Sequence, residues 1–132
     1  MVETFDMGKV TGLGGLFLKA NDPKALAAWY QDKLGIDFKG SVYTTFPFKD
    51  EAGEVSAGYN VLSFFKNDSD YYAPSTKPAM LNLRVEDLRG LLETLKQKGV
   101  EPVGDMIDEE YGKFGWILDL EGNKIELWEP PA

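Results

Sequence analysis

Near the carboxyl end of the chain, Glu126 stands between Lys124 and Trp128 in a segment of alternating side chains. In a β-strand these three side chains face the same side. If that side lines an apolar cavity, desolvation raises the pKa of the Glu126 carboxyl, and the group becomes a candidate ligand contact or general base. The alternative is a structural carboxylate neutralised by Lys124, by Arg84 or by a tyrosine hydroxyl. Glu126 is the one candidate catalytic residue.

A second polar group lies in residues 80–85, where Asn82 and Arg84 alternate with apolar residues and follow Met80. The planar guanidinium of Arg84 suits a carboxylate or phosphate group of a ligand. It suits pairing with Glu126 equally well. The amide of Asn82 would help to set the orientation of a ligand.

Large aromatic side chains recur beside these polar residues and can form flat walls for an aromatic or apolar ligand. The candidates are Phe17, Phe64, Trp116 and Trp128. For Phe17 and Trp116, ordinary core packing explains the sequence at least as well. Asn60, Leu62 and Met80 complete the predicted ligand-binding set.

The composition excludes several kinds of chemistry. The 132 residues contain no cysteine and no histidine, which removes disulfides, thiolate nucleophiles, the Ser-His relay and imidazole metal ligands together. The formal charge of −8 disfavours nucleic acid and anionic membranes as partners. Residues 1–10 do not resemble a signal peptide, and no apolar run approaches the ~20 residues of a membrane span, so we expect a cytoplasmic protein.

Two strand-helix segments must position these residues. In the first, a strand over residues 14–20 leads to Asp22 as helix N-cap, Pro23 as first helical residue and Gly35 as the αL terminator. In the second, a strand over residues 80–85 leads to a helix that ends at Gly99. The apolar spacing of this second helix is carried by Leu88, Leu91, Leu92 and Leu95.

The two halves of the chain repeat each other. The paired positions are Gly15 with Met80 and Asp22 with Asp87, each 65 positions apart, and Leu62 with Glu126, 64 positions apart. A nearly constant offset across a strand, a helix and a closing strand favours duplication over two unrelated helices of similar length. We therefore predict a single domain over residues 1–132, with module one at about residues 10–66 and module two at about 79–130.

The connector of about residues 67–78 is too polar and proline-rich for a strand. Tyr71 or Tyr72 can fold over the mouth of a pocket, and a linker with exposed tyrosines is the equal alternative.

Strand alternation assigns an aliphatic face and a mixed face to each predicted strand. The mixed faces of the closing strands carry Asn60, Leu62 and Phe64 in the first half and Lys124, Glu126 and Trp128 in the second. A mixed face is exposed to solvent or lines a pocket. Phe17, Phe64, Met80 and Trp128 are too apolar to be exposed together, which favours a pocket.

Two long segments carry a family resemblance. Residues 12–23 read GLGGLFLKANDP and residues 111–130 read YGKFGWILDLEGNKIELWEP. Together they resemble the opening and the ending of glyoxalase/bleomycin-resistance/dioxygenase proteins, the vicinal-oxygen-chelate (VOC) superfamily, and the similarity covers roughly residues 12–130. The resemblance implies an α+β fold in which two βαβββ modules form a half-open mixed-sheet barrel. It also implies a small-molecule ligand and, frequently, a homodimer.

Metal enzymes of this superfamily place one ligand on the first and last strand of each module, and these positions correspond to Gly15, Leu62, Met80 and Glu126. Of the four, Glu126 alone can ligate a hard divalent cation, since a thioether such as that of Met80 suits soft metals. We therefore predict no metal and no other cofactor.

Two functions remain open. The first is a metal-free protein that binds a small aromatic or amphipathic molecule. The second is an enzyme of the lyase, isomerase or dioxygenase type that uses Glu126 as base or as sole protein metal ligand. The loss of three ligand positions favours binding.

Overall fold

The computed structural model describes residues 8–131. Its elements follow in the order β1 (Lys9–Ala20), α1 (Pro23–Leu34), β2 (Tyr43–Lys49), β3 (Val55–Lys66), β4 (Ala79–Glu86), α2 (Leu88–Gln97), β5 (Ile107–Glu109), β6 (Gly112–Leu118) and β7 (Lys124–Glu129). Residues 1–7, most of the segment for which we predict no signal peptide, lie outside the described residues. No helix within residues 8–131 has the length and apolar character that a membrane span requires.

The described residues divide into two compact units, which contain strands and helices in the α+β manner predicted. The N-terminal unit consists of residues 14–81, and the C-terminal unit consists of residues 82–131 together with 8–13. Strands β1 and β4 each contribute residues to both units, so the boundary differs from the predicted linker at residues 67–78.

Helix α1 of the N-terminal unit begins and ends where the sequence predicts. The Asp22 carboxylate accepts a hydrogen bond from the Ala25 N–H at 3.1 Å, and Pro23 is the first helical residue. Gly35 has a left-handed φ of 71° and donates its N–H to the Gln31 carbonyl. These local signals need no tertiary context, since they satisfy backbone groups at the helix ends.

The N-terminal unit has a mixed sheet in the order β2-β3-β1, with β1 parallel to β3 and β2 antiparallel to it. Only two strands follow α1 in this half of the chain, one fewer than the predicted βαβββ module. The segment between α1 and β2 turns through left-handed residues at Lys39 and Gly40, which cannot continue an extended strand.

The pairing of β1 with β3 corrects a predicted face. Leu18 pairs with Phe64 and Leu16 with Leu62, so these residues share one side of the sheet. On that side Phe64 is buried in a cluster with Ala27 of α1, and Leu18 and Leu62 pack against the cluster. Leu62 and Phe64 therefore lie beneath α1, and their assignment to the mixed face is wrong.

The corrected register changes the internal repeat. The β3 residues on the side away from α1 are Val61, Ser63 and Phe65, and Val61 pairs with Gly15. Val61 rather than Leu62 is thus the counterpart of Glu126, and these two residues are 65 positions apart, as are Gly15 and Met80. The duplication has one constant offset.

The connector after β3 is not an exposed linker. Tyr72 is fully buried with a relative exposure of 0%, and Ser75 is also buried. The ring of Tyr71 stacks on Phe65 with centroids 5.4 Å apart, and the Lys19 ammonium lies 5.0 Å from the centroid of the Tyr72 ring. The predicted alternative of exposed tyrosines is wrong for Tyr72, because its ring packs into the N-terminal unit.

In the C-terminal unit, β4, β7, β6 and β5 are neighbours in that order, and β6 pairs antiparallel with both β5 and β7. Helix α2 is capped by the Asp87 carboxylate, and the Glu129 carboxylate also accepts from the Leu88 N–H at 2.7 Å. Val85, Leu88 and Leu127 form the core between α2 and the sheet, with Ile125 packed against it. Ile125 and Leu127 face α2, as predicted from alternation.

Candidate functional site

The candidate residues of the C-terminal unit lie on the side of its sheet opposite α2. Leu127 points towards α2, so the alternation of β7 sends Lys124, Glu126 and Trp128 to the other side. All three are buried, and Glu126 is only 2% exposed. A carboxylate removed from water in this way requires hydrogen-bond donors or opposite charges near it.

Two side chains donate hydrogen bonds to the Glu126 carboxylate, one to each oxygen. The Asn82 amide donates from Nδ2 to Oε1 at 2.6 Å, and the Trp116 indole donates from Nε1 to Oε2 at 3.0 Å. Trp116 is placed by the hairpin of β6 and β7, where it stands directly opposite Glu126. Hydrogen bonds of this kind favour the ionised form of a carboxyl group.

Asn82 leaves one strong acceptor unused. Its side chain is 3% exposed, and its Oδ1 atom is buried with no hydrogen-bond partner among the described residues. Buried polar atoms in native proteins are almost always paired, so an unpaired carbonyl oxygen beside a carboxylate calls for an explanation. A bound donor, whether ligand or water, would supply the missing partner.

Two positive side chains lie on strands of the same unit as this carboxylate. Lys124 is buried at 8% exposure, and its ammonium lies 5.6 Å from the centroid of the Trp116 ring. The guanidinium of Arg84 lies 5.2 Å from the centroid of the Trp128 ring, a distance typical of a cation–π contact. The two functional alternatives for Arg84, ligand contact and pairing with Glu126, stay predictions.

Trp128 is held on several sides within the C-terminal unit. Its ring is parallel to that of Phe114, with centroids 6.3 Å apart, and its indole N–H donates to the Tyr111 carbonyl at 3.0 Å. The residue is thus a fixed, buried aromatic surface rather than a mobile one. Its predicted role as a wall of a ligand pocket stays a prediction.

The candidates of the N-terminal unit fall into two groups. Phe17 and Met80 are buried, and Phe17 packs against Phe65 on the side of the sheet away from α1. Asn60, Leu62 and Phe64 alternate along β3 and share the α1 side, where Leu62 and Phe64 serve the core. We remove Asn60, Leu62 and Phe64 from the candidate site, because the register of β3 turns them towards the helix.

The family's metal positions do not fit a metal ion in this chain. At Gly15 an added Cβ would lie 2.2 Å from the Val61 carbonyl oxygen, so no ligand side chain has room there. With the corrected register, the family's position on β3 is Val61, whose side chain has no metal-binding atom, as in Leu62. Both oxygens of Glu126 accept N–H donors. Residues 8–131 contain no group of three or more acidic, histidine or cysteine side chains that could hold a metal.

Sequence reasoning missed the hydrogen bond between Trp116 and Glu126. The signal was present in the turn between β6 and β7, where the Asp119 carboxylate accepts from the N–H groups of Glu121 and Asn123. Counting back from this turn along both strands pairs Trp116 with Glu126. The burial of Tyr72 had no comparable local signal.

Comparison with known proteins gives a family and a fold. A sequence model of the Glyoxalase/Bleomycin resistance protein/Dioxygenase superfamily matches residues 12–127. Comparison with curated proteins finds no significant match.

Several solved structures share the fold at low sequence identity. Methylmalonyl-CoA epimerase from Mycobacterium tuberculosis is 22% identical, with a TM-score of 0.61, and the match covers 100% of this chain and 94% of that one. A Streptomyces coelicolor methylmalonyl-CoA epimerase variant in complex with 2-nitronate-propionyl-CoA is 14% identical, with a TM-score of 0.67 and coverage of 94% and 97%. A Legionella pneumophila structure described as an NAD-dependent benzaldehyde dehydrogenase is 10% identical, with a TM-score of 0.57 and coverage of 89% and 98%. At these identities the likeness establishes the fold alone.

Proposed function

Because this chain belongs to the Glyoxalase/Bleomycin resistance protein/Dioxygenase superfamily, we propose that it is a metal-free protein that binds a small aromatic or amphipathic molecule. The observation that carries the proposal is the buried, unpaired Oδ1 atom of Asn82 beside the Glu126 carboxylate. An isolated acceptor of this kind costs stability in the folded protein. A ligand that donates a hydrogen bond would recover that cost, which gives the site a reason to bind.

Other side chains of the C-terminal unit suit an amphipathic ligand. Trp128 offers a fixed aromatic surface, while Arg84 and Lys124 bring positive charge to the same unit. Apolar walls supply most of the affinity of such sites, and a few polar groups set the orientation of the ligand. A carboxylate or phosphate on the ligand would be attracted to Arg84. Phe17 and Met80, which lie in the N-terminal unit, stay predicted ligand contacts.

The alternative is a lyase, isomerase or dioxygenase type of enzyme in which Glu126 acts as base. Two of the similar solved structures are named as epimerases, so proton transfer is the reaction to consider for Glu126. However, the donors Asn82 and Trp116 each engage one oxygen of the Glu126 carboxylate and stabilise its charged form. Both oxygens already accept an N–H, which leaves them less available to take a proton from a substrate and favours binding over catalysis.

The binding proposal is tested by titrating the protein with benzoate, 4-hydroxybenzoate and indole while its ¹⁵N-¹H NMR spectrum is recorded. We expect saturable shifts of the Trp116 and Trp128 indole signals. Arg84→Met should weaken the two carboxylate probes about tenfold and leave indole unchanged, as expected for loss of one charge-assisted hydrogen bond. Arg89→Met, which alters an exposed arginine on α2, is the matched control.

Four outcomes would contradict the proposal. Absence of saturable shifts with every probe removes the binding site, and equal effects of Arg84→Met and Arg89→Met remove the role of Arg84. Stoichiometric tight binding of Ni²⁺, Zn²⁺, Mn²⁺ or Fe²⁺ in a metal titration would contradict the metal-free site. A turnover of an acyl-CoA thioester that Glu126→Gln abolishes would establish the enzyme instead.

A further inference from the structure

We propose that Glu126 and Trp116 are positioning residues that fix the amide orientation of Asn82, so that its Oδ1 atom is reserved for a ligand carrying an O–H or N–H donor. This inference rests on the proposed binding function and names the class of ligand. It makes Asn82 the residue that determines specificity.

Trp116 determines the role of one oxygen of Glu126. An indole N–H donates and cannot accept, so the Glu126 oxygen that it contacts must be an acceptor. The other oxygen of the same carboxyl group, Oε1, accepts from the Asn82 amide.

Glu126 in turn determines the orientation of Asn82. The amide turns its NH₂ group to Glu126 and donates from Nδ2 to Oε1 at 2.6 Å. The carbonyl oxygen is then directed away from Glu126. It is buried and has no partner among residues 8–131, in a residue that is only 3% exposed.

The class of ligand follows from this orientation. A molecule with a hydroxyl or amine hydrogen can donate to Oδ1, whereas an ether or ketone of the same shape sets one acceptor against another. A site built to pair a donor discriminates strongly against an analogue that lacks it. We therefore infer that the ligand is an aromatic or apolar alcohol, phenol or amine rather than the corresponding ketone or ether.

Glu126→Gln should reverse this preference. The donor-only Trp116 holds the carbonyl oxygen of the introduced glutamine, so the glutamine NH₂ group faces Asn82. Asn82 then accepts through Oδ1 and must rotate its amide, which places NH₂ where the unpaired oxygen was. The site changes from an acceptor to a donor while its shape is retained.

The test uses 1-phenylethanol and acetophenone, which share one carbon skeleton and differ in the presence of a donor. For the native protein, NMR titration should show 1-phenylethanol binding about tenfold more tightly, since one unpaired acceptor is satisfied. In Glu126→Gln the ratio should fall to about one or below, mainly through tighter binding of acetophenone. Glu86→Gln removes an exposed carboxylate from β4 and should leave the ratio at its native value.

A second variant keeps the test independent of any simple loss of stability. Adding Trp116→Phe to Glu126→Gln removes the indole N–H, so the glutamine can turn its oxygen towards Asn82 again. We expect the preference for 1-phenylethanol to return towards the native value. An unchanged ratio in Glu126→Gln, or no recovery in the double variant, would overturn the inference.

A measurement without ligand separates this inference from the proposed function. In the native protein, NMR should detect a scalar coupling through the hydrogen bond between Asn82 Nδ2 and Glu126 Cδ. In the Glu126→Gln variant that coupling should be replaced by one between Nε2 of the introduced glutamine and Asn82 Cγ. If neither probe binds but these couplings are found, the proposed function fails and the amide orientation stands; absence of the native coupling rejects the orientation itself.

Discussion

At the level of single residues, the chemistry of this chain is concentrated in one buried carboxylate and its two donors. Glu126 is held by Asn82 and Trp116, which come from different strands of the C-terminal unit. The arrangement stabilises a charge and leaves one acceptor atom of Asn82 unsatisfied. Burying an unpaired polar atom such as this acceptor is costly for stability, so a functional role explains its presence better.

The hydrogen bond from Trp116 gives a stability prediction. Trp116→Phe should lower the free energy of unfolding by about 1–3 kcal/mol, because Glu126 Oε2 loses a donor while buried. Trp29→Phe, at a position that is 51% exposed, should change it by less than about 0.5 kcal/mol. Urea unfolding followed by circular dichroism measures both. Equal losses of unfolding free energy in Trp116→Phe and Trp29→Phe would mean that Trp116 contributes through its ring alone and not through its N–H.

At the level of elements, the close approach of β1 and β3 determines what the family's first metal position can hold. The backbone of Val61 occupies the place that a side chain at Gly15 would need. A glycine in the middle of a strand normally weakens it, and close approach of another backbone is a common reason for keeping one. A packing contact therefore lies at the position that the family resemblance assigns to the first metal ligand.

Gly15→Ala should therefore be strongly destabilising. An added methyl group 2.2 Å from the Val61 carbonyl oxygen forces the strands apart, and overpacking of this kind costs about 1–3 kcal/mol. Gly12→Ala in the same strand meets nothing within 4 Å and should leave the free energy of unfolding unchanged or slightly higher. Thermal unfolding of both variants is the measurement, and comparable melting temperatures would contradict the close approach.

At the level of the whole molecule, the chain belongs to its superfamily, and the predicted duplication relates equivalent positions by a constant offset of 65 residues. The equivalence covers Gly15 with Met80, Asp22 with Asp87 and Val61 with Glu126. In the last of these pairs, only Glu126, in the second half of the chain, is polar. The two halves therefore differ in chemistry, while both helices have an aspartate as N-cap.

The predicted homodimer is a property of the whole molecule and rests on the family resemblance. Light scattering of the purified protein should give about twice the chain mass of 14.7 kDa at micromolar concentration. A particle of 14.7 kDa that persists as the concentration is raised would show a monomer. Ligand titrations should be carried out at one protein concentration, because coupling of binding to association changes the apparent affinity.

Local signals in the sequence determined the boundaries of α1, the α+β class and the exclusion of histidine and cysteine chemistry. Asp22, Pro23 and Gly35 act on neighbouring backbone groups, so their effect can be read without tertiary contacts. The alternation of β7 was likewise sufficient to direct Glu126 away from α2.

Tertiary structure alone decided which side of β3 faces the helix. A shift of one residue in strand pairing sends every side chain to the opposite face, and both faces of β3 carry apolar residues, so its composition does not select the register. Pairing with β1 placed Leu62 and Phe64 in the core and Val61 opposite Gly15. The burial of Tyr72 and the unpaired Oδ1 of Asn82 also depend on residues distant in the chain, which no local pattern specifies.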